Sequence, residues 1–162
     1  MFRSISWLAC SMAALLITNA FAREADSPWI RGIYTGQSPR PVTAAEAWQQ
    51  ASTLAENTPA AFVLVGLGRS MQPLYAPGTI LVLQQLPFAE LKRGQTALYR
   101  TKQKKIVAHV LVTKARDGWR VQGLNNPIHD MEPVVAENFV GVVVAAFNPV
   151  APARSLQLAM IR

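Results

Sequence analysis

Ser70 stands in the hexapeptide Gly68-Arg69-Ser70-Met71-Gln72-Pro73, which leaves a hydrophobic run through a glycine and ends at a proline unable to continue a strand ladder. A serine hydroxyl is a poor nucleophile until a neighbour takes its proton, so chemistry at Ser70 needs a base from elsewhere in the fold. The chain has only two histidines. His109 interrupts the otherwise apolar run Ile106-Val107-Ala108-His109-Val110-Leu111-Val112, and an imidazole titrates close enough to neutrality to accept a proton and return it. Periodicity alone leaves two roles open for it, a satisfied core histidine or a general base. His129 lies beside Asp130 in a turn-rich segment, where it is either a solvated side chain or a substitute base. Asp130 itself reads from the residues as a loop carboxylate that caps a turn. The lysines flanking the histidine strand, Lys105 and Lys114, sit at its start and near its end.

Other chemistries are poorly served. The single cysteine, Cys10, lies in the amino-terminal apolar stretch, leaving the remainder without thiols for disulfides, thiolate catalysis or thiolate metal sites. Two histidines hardly make a metal centre, so neither a metal nor an organic cofactor is expected.

The elements that must position these residues are legible as one domain, because 162 residues with about half of them apolar can bury one core. Thr43-Ala44-Ala45-Glu46 is a capping box, and Trp48, Ala51, Leu54 and Ala55 follow at helical spacing until Asn57 and Pro59, which predicts one short helix. Short β-rich runs then cover Ala61 to Leu67, Thr79 to Gln84, Thr96 to Lys102, Lys105 to Ala115, Trp119 to Leu124 and Phe139 to Phe147. Pro77-Gly78, Arg93-Gly94, Gln103-Lys104 and Asp117-Gly118 punctuate them. The expected architecture is mainly β, a single small antiparallel barrel or coiled sheet with a short helix at its start.

Ahead of that domain, residues 1–22 carry Arg3, the apolar run Ile5 to Ile17 and the small-x-small end Ala20-Phe21-Ala22. They read as a signal peptide cut after Ala22 or as a retained membrane anchor, and either places the rest of the chain outside the cytoplasm. Residues 23–42, rich in proline and glycine, read as an irregular arm that Trp29, Ile30 and Tyr34 can pin to the domain, residues 43–148 as the β domain, and residues 149–162 as a tail. The formal charge of +7 arises from 16 Lys and Arg against 9 Asp and Glu. In an exported chain a basic surface points to anionic lipid headgroups, and no aromatic-interleaved basic strand argues for nucleic acid.

From Val63 to Val144 the chain resembles the catalytic domain of type I signal peptidases, in the archaeal and endoplasmic-reticulum branch that uses Ser-His-Asp in place of the bacterial Ser-Lys pair. Several blocks carry the resemblance in fixed order: Gly68 to Pro73, Pro77-Gly78 with Ile80-Leu81-Val82, and Lys92-Arg93-Gly94 before Thr96-Ala97-Leu98-Tyr99. The strand Ile106 to Val110, Gly123-Leu124-Asn125-Asn126 with Asp130, and Asn138 to Val143 complete it. The resemblance implies a signal-peptidase-type fold and a serine endopeptidase acting by acyl transfer on extended peptide or precursor-protein segments after small residues. It implies Ser70 as nucleophile, His109 as base and Asp130 as the group holding the imidazole, a role for which Asn125 and Asn126 also compete. The Ser70 backbone N–H would bind the oxyanion, and substrate would lie as an added strand beside Val63 to Leu67, against Val65, Leu67, Gly68 and Met71. The chain departs from the pattern at Gly68, where many relatives place a serine that helps bind the oxyanion, and at Gly94-Gln95 and Gly123-Leu124, where glycine-aspartate is usual. These departures keep a second expectation open, a catalytically inactive exported peptide-binding module on the same fold.

Overall fold

In the computed structural model of the chain, the residues described are Ile30, 32–36 and 38–150. The segment expected to be a leader, Trp29 and the chain beyond Val150 lie outside them. No helix among the described residues is long and apolar enough to cross a membrane.

The capping box forms as the sequence predicts. Helix α1 spans Ala44–Glu56; the Thr43 hydroxyl accepts from the Glu46 N–H at 3.3 Å and the Glu46 carboxylate accepts from the Thr43 N–H at 2.9 Å. These bonds to Thr43 hold the Glu46 carboxyl below its ordinary range. At the other end Asn57 closes the helix by donating from Nδ2 to the Thr53 carbonyl at 2.7 Å. The buried stripe is made of alanines, Ala47 and Ala51, whose small side chains let the helix lie close on Ile80, Val82 and Phe147. Trp48, expected on that stripe, is instead 48% exposed, because its neighbour Ala47 occupies the sheet-facing position.

Seven strands form one sheet: β1 (Arg40–Val42), β2 (Ala61–Val65), β3 (Ile80–Gln84), β4 (Thr96–Arg100), β5 (Ile106–Ala115), β6 (Gly118–Gln122) and β7 (Phe139–Pro149). The order is β2-β3-β7-β4-β5-β6, all antiparallel. β1 runs parallel to β7 beyond the end of β4, pairing Arg40 with Phe147. The arm expected to be irregular therefore contributes a strand. Its proline, Pro41, is tolerated because among the described residues β1 pairs on one side only.

Register shifts at Val82/Leu83, Leu98/Tyr99 and Leu111/Thr113 bend the ribbon. One face gathers Leu81, Leu83, Leu98 and Val110 around Met71, Tyr75 and Ile30. The opposite face splits between α1, over Ile80 and Val82, and a second cluster of Ala97, Tyr99, Leu111, Trp119 and Val121. The pinning residues of the arm behave as expected where they are described, with Ile30 buried and Tyr34 packed against the first cluster.

The sheet does not close into a barrel, which corrects one of the two expected forms. β6 gives its outer edge to an isolated bridge instead, Trp119 exchanging backbone bonds of 2.8 and 2.9 Å with Val134. Gly118, at φ +129°, opens this edge strand; a Cβ there would lie 2.5 Å from the Val134 carbonyl oxygen. Among the described residues β2 pairs only with β3, leaving its other edge free.

β3 joins β2 to the rest of the sheet, and Leu83 within it is fully buried. Leu83→Ala is expected to cost about 2–5 kcal/mol of unfolding free energy, read as a lower midpoint in urea with an unchanged slope.

Candidate active site

The run that carries the serine is anchored on both sides. β2 ends at Val65, after which Gly66 donates to the Thr79 carbonyl at 2.8 Å and accepts from the Gly78 N–H at 2.7 Å. Five residues further on Met71 is buried in the core with Tyr75, and the Tyr75 N–H donates to the Met71 carbonyl at 3.0 Å. Ser70 is held between these anchors, half-buried, at the exit of the strand.

His109 lies on β5 opposite Ala97 of β4. By alternation it shares a face with Val107 and Leu111, and only 4% of it is exposed. The third side chain arrives from the long loop between β6 and β7, where the Asp130 N–H donates to the Val121 carbonyl at 2.9 Å. Asp130 Oδ2 lies 2.6 Å from His109 Nδ1, and His109 Nε2 lies 2.9 Å from Ser70 Oγ.

The protonation pattern follows from the partners. A carboxylate only accepts, so Nδ1 carries the hydrogen and donates it to Asp130. Nε2 is then left with its lone pair facing the Ser70 hydroxyl, the arrangement a general base requires. Ser70, His109 and Asp130, each named on sequence grounds, are thus brought into one hydrogen-bonded chain.

The competing candidates fall elsewhere. Asn125 donates from its backbone N–H to the Ser70 carbonyl at 2.8 Å and from Nδ2 to the Arg69 carbonyl at 3.3 Å, while the Asn126 carbonyl accepts from Gln122 Nε2 at 2.8 Å. These residues tie the loop to the nucleophile segment; Asp130 is the group that meets the imidazole. His129 is exposed and donates from Nδ1 to the Asp130 carbonyl at 3.0 Å. Among the described residues neither Lys105 nor Lys114 hydrogen-bonds Ser70.

Two residues of the site escape sequence reasoning. Tyr99, on β4 and 1% exposed, donates its hydroxyl to the same Asp130 oxygen that His109 uses. Burial, reinforced by the bond to Asp130 and its charge, pushes the Tyr99 phenol far above its ordinary range, so it remains a donor. Gly123 is the other: a Cβ there would sit 2.6 Å from the Ser70 carbonyl oxygen and 2.9 Å from His109 Nε2. Only a glycine lets the loop pass so close to the pair.

Beside the free edge of β2 an apolar groove of about 300 Å³ leads to Ser70. Val65, Leu67, Gly68 and Met71, for which the resemblance implies substrate contacts, are among the residues lining it, together with Ile106 to Ala108 of β5. Leu67 is 79% exposed at its rim. The Ser70 N–H donates to no acceptor among the described residues, which leaves it available to an incoming oxygen. At Gly68 a Cβ would meet nothing within 4 Å.

A scan against models of known protein families finds no match, and no curated protein matches the sequence.

Gly123→Ala is expected to slow labelling of Ser70 by a fluorophosphonate probe by about 10²-fold, the cost of displacing reacting groups by about an ångström. Tyr99→Phe, which keeps the ring and removes the hydroxyl, is expected to slow the same labelling roughly tenfold, about the worth of one hydrogen bond to a charged group. Equal labelling rates in the variants and the wild type would show that these residues do not hold the pair in register.

Proposed function

We propose that the chain is a serine endopeptidase of the signal-peptidase type, acting on extended peptide segments at the extracytoplasmic face of a membrane. The observation that supports this best is the Ser70–His109–Asp130 chain, with contacts of 2.9 and 2.6 Å, standing at the end of a groove along an unpaired strand edge. The resemblance of Val63 to Val144 to the signal-peptidase catalytic domain points the same way.

In this mechanism a substrate strand adds to the free edge of β2, taking its backbone hydrogen bonds from there and setting small side chains into the groove. The Ser70 hydroxyl proton passes to His109 Nε2 as Oγ attacks the scissile carbonyl carbon. The carbonyl oxygen gains the negative charge and is met by the Ser70 N–H. His109, now an imidazolium held by the Asp130 carboxylate, returns the proton to the departing amine, and the carbon–nitrogen bond breaks. A water then attacks the Ser70 ester, giving up a proton to His109; the carbon–Oγ bond breaks, His109 returns the proton to Ser70 Oγ, and the new carboxyl end is released. The leader at residues 1–22 and the basic balance of the chain favour work beside anionic headgroups.

Gly68 favours a second function on the same surface. With no side-chain donor at that position, the groove would bind extended peptides without turning them over. Two variants separate the alternatives. For a protease, Ser70→Ala lowers kcat on peptides with small residues before the cut by at least about 10⁴-fold, and Gly68→Ser, for which the site has open space, raises kcat by up to about 10²-fold. Binding of the same peptides with no cleavage by wild type or by Gly68→Ser assigns the chain to the binding module instead.

A further inference from the structure

A second depression, of about 370 Å³, opens beside His109 and Asp130, with Val107, Ile128, His129, Met131 and Glu132 among the residues lining it. It shares Val107 with the groove that leads to Ser70; Ser70 lines that groove and His109 lines this depression, and the two side chains are joined by the 2.9 Å contact. Its rim is unusual for a loop: Ile128 is 67% and Met131 86% exposed, large apolar side chains standing in water on either side of the carboxylate that holds the imidazole. Apolar side chains displayed together beside a site mark a surface built to be covered.

Proton transfer says what covers it. The groove beside β2 takes the part of the substrate that becomes the acyl group. His109 Nε2 must then face the departing nitrogen, so the residue after the scissile bond leaves on the imidazole side, over this depression. Charge narrows the choice further. The Glu132 carboxylate is fixed at the edge of the hollow by accepting from the Lys102 N–H at 2.9 Å, where it repels an acidic side chain.

We infer that this depression is the binding site for the residue immediately following the cut, and that it selects a large apolar side chain there and rejects an acidic one. The inference rests on the protease function proposed above and deepens it, because composition before the cut then decides only part of the specificity.

The test uses three peptides with the same small residues before the cut and Leu, Gly or Asp directly after it, with products identified by mass. Wild type is expected to cleave them in the order Leu, Gly, Asp, with kcat/KM about tenfold higher for Leu than for Gly. Ile128→Ser combined with Met131→Ser, both at exposed positions whose loss spares the core, is expected to bring the Leu-to-Gly ratio to within about twofold. Equal rates for the three peptides in wild type, or a Leu-to-Gly ratio that survives the double substitution, overturn the inference and leave the protease function standing. Cleavage of none of the three overturns both.

Discussion

A carboxylate drawn partly out of water is costly unless donors replace the water it loses, and Asp130, with 17% of its side chain exposed, is in that position. Two donors meet it at one oxygen, the His109 ring N–H and the Tyr99 hydroxyl. The first of these bonds sets the tautomer of the imidazole, and the tautomer decides whether Nε2 can accept from Ser70. The chemistry available at the serine is therefore governed by where one loop places one carboxylate.

The fold meets this demand with strands for two of the groups and tethered loops for the others. Tyr99 and His109 project from adjacent strands of the same hairpin, in a register where Ala97 faces His109 and Tyr99 faces Val107. Their separation is thus fixed by the ladder. Asp130 and Ser70 come from connecting segments, which ladders do not hold, and each is tied by other means. Asp130 bonds through its N–H to Val121 at the end of β6; the Ser70 carbonyl accepts from Asn125 of the same loop. The loop that delivers the carboxylate thus also grips the nucleophile. The free edge of β2 completes the design. An unpaired edge is an aggregation hazard that folds usually cover, and this one, unpaired among the described residues, borders the groove that ends at the serine.

Much of this was legible in the sequence. The capping box at Thr43 and Glu46 is a local signal and marks α1 to within a residue of where it begins, while short β-rich runs separated by Pro-Gly, Gln-Lys and Asp-Gly steps mark the antiparallel strands. Nonlocal features were less visible. Whether a curved sheet closes depends on which segment takes the last edge, and Val134 takes that of β6 through a single bridge. β1 is three residues long and contains a proline, so no local pattern announces it. His109 stood out as the polar residue in an apolar strand, yet its role depended on two distant partners. Tyr99 gave no signal, since an aromatic in a strand reads as core and its hydroxyl matters only through Asp130, 31 positions away. Gly123 falls inside the β-rich run Trp119 to Leu124, and what requires a glycine there is the close passage of the Ser70 segment and the imidazole.

The proposed chemistry passes through an ester on Ser70, and that ester can be weighed. An activated peptide ester with a small terminal residue, mixed with the protein and quenched in acid within the first turnover, should add the mass of the acyl group. Fragmentation should place that mass on Ser70, and His109→Ala should abolish it. An unmodified protein, or an acyl group carried by any other side chain, would contradict the account.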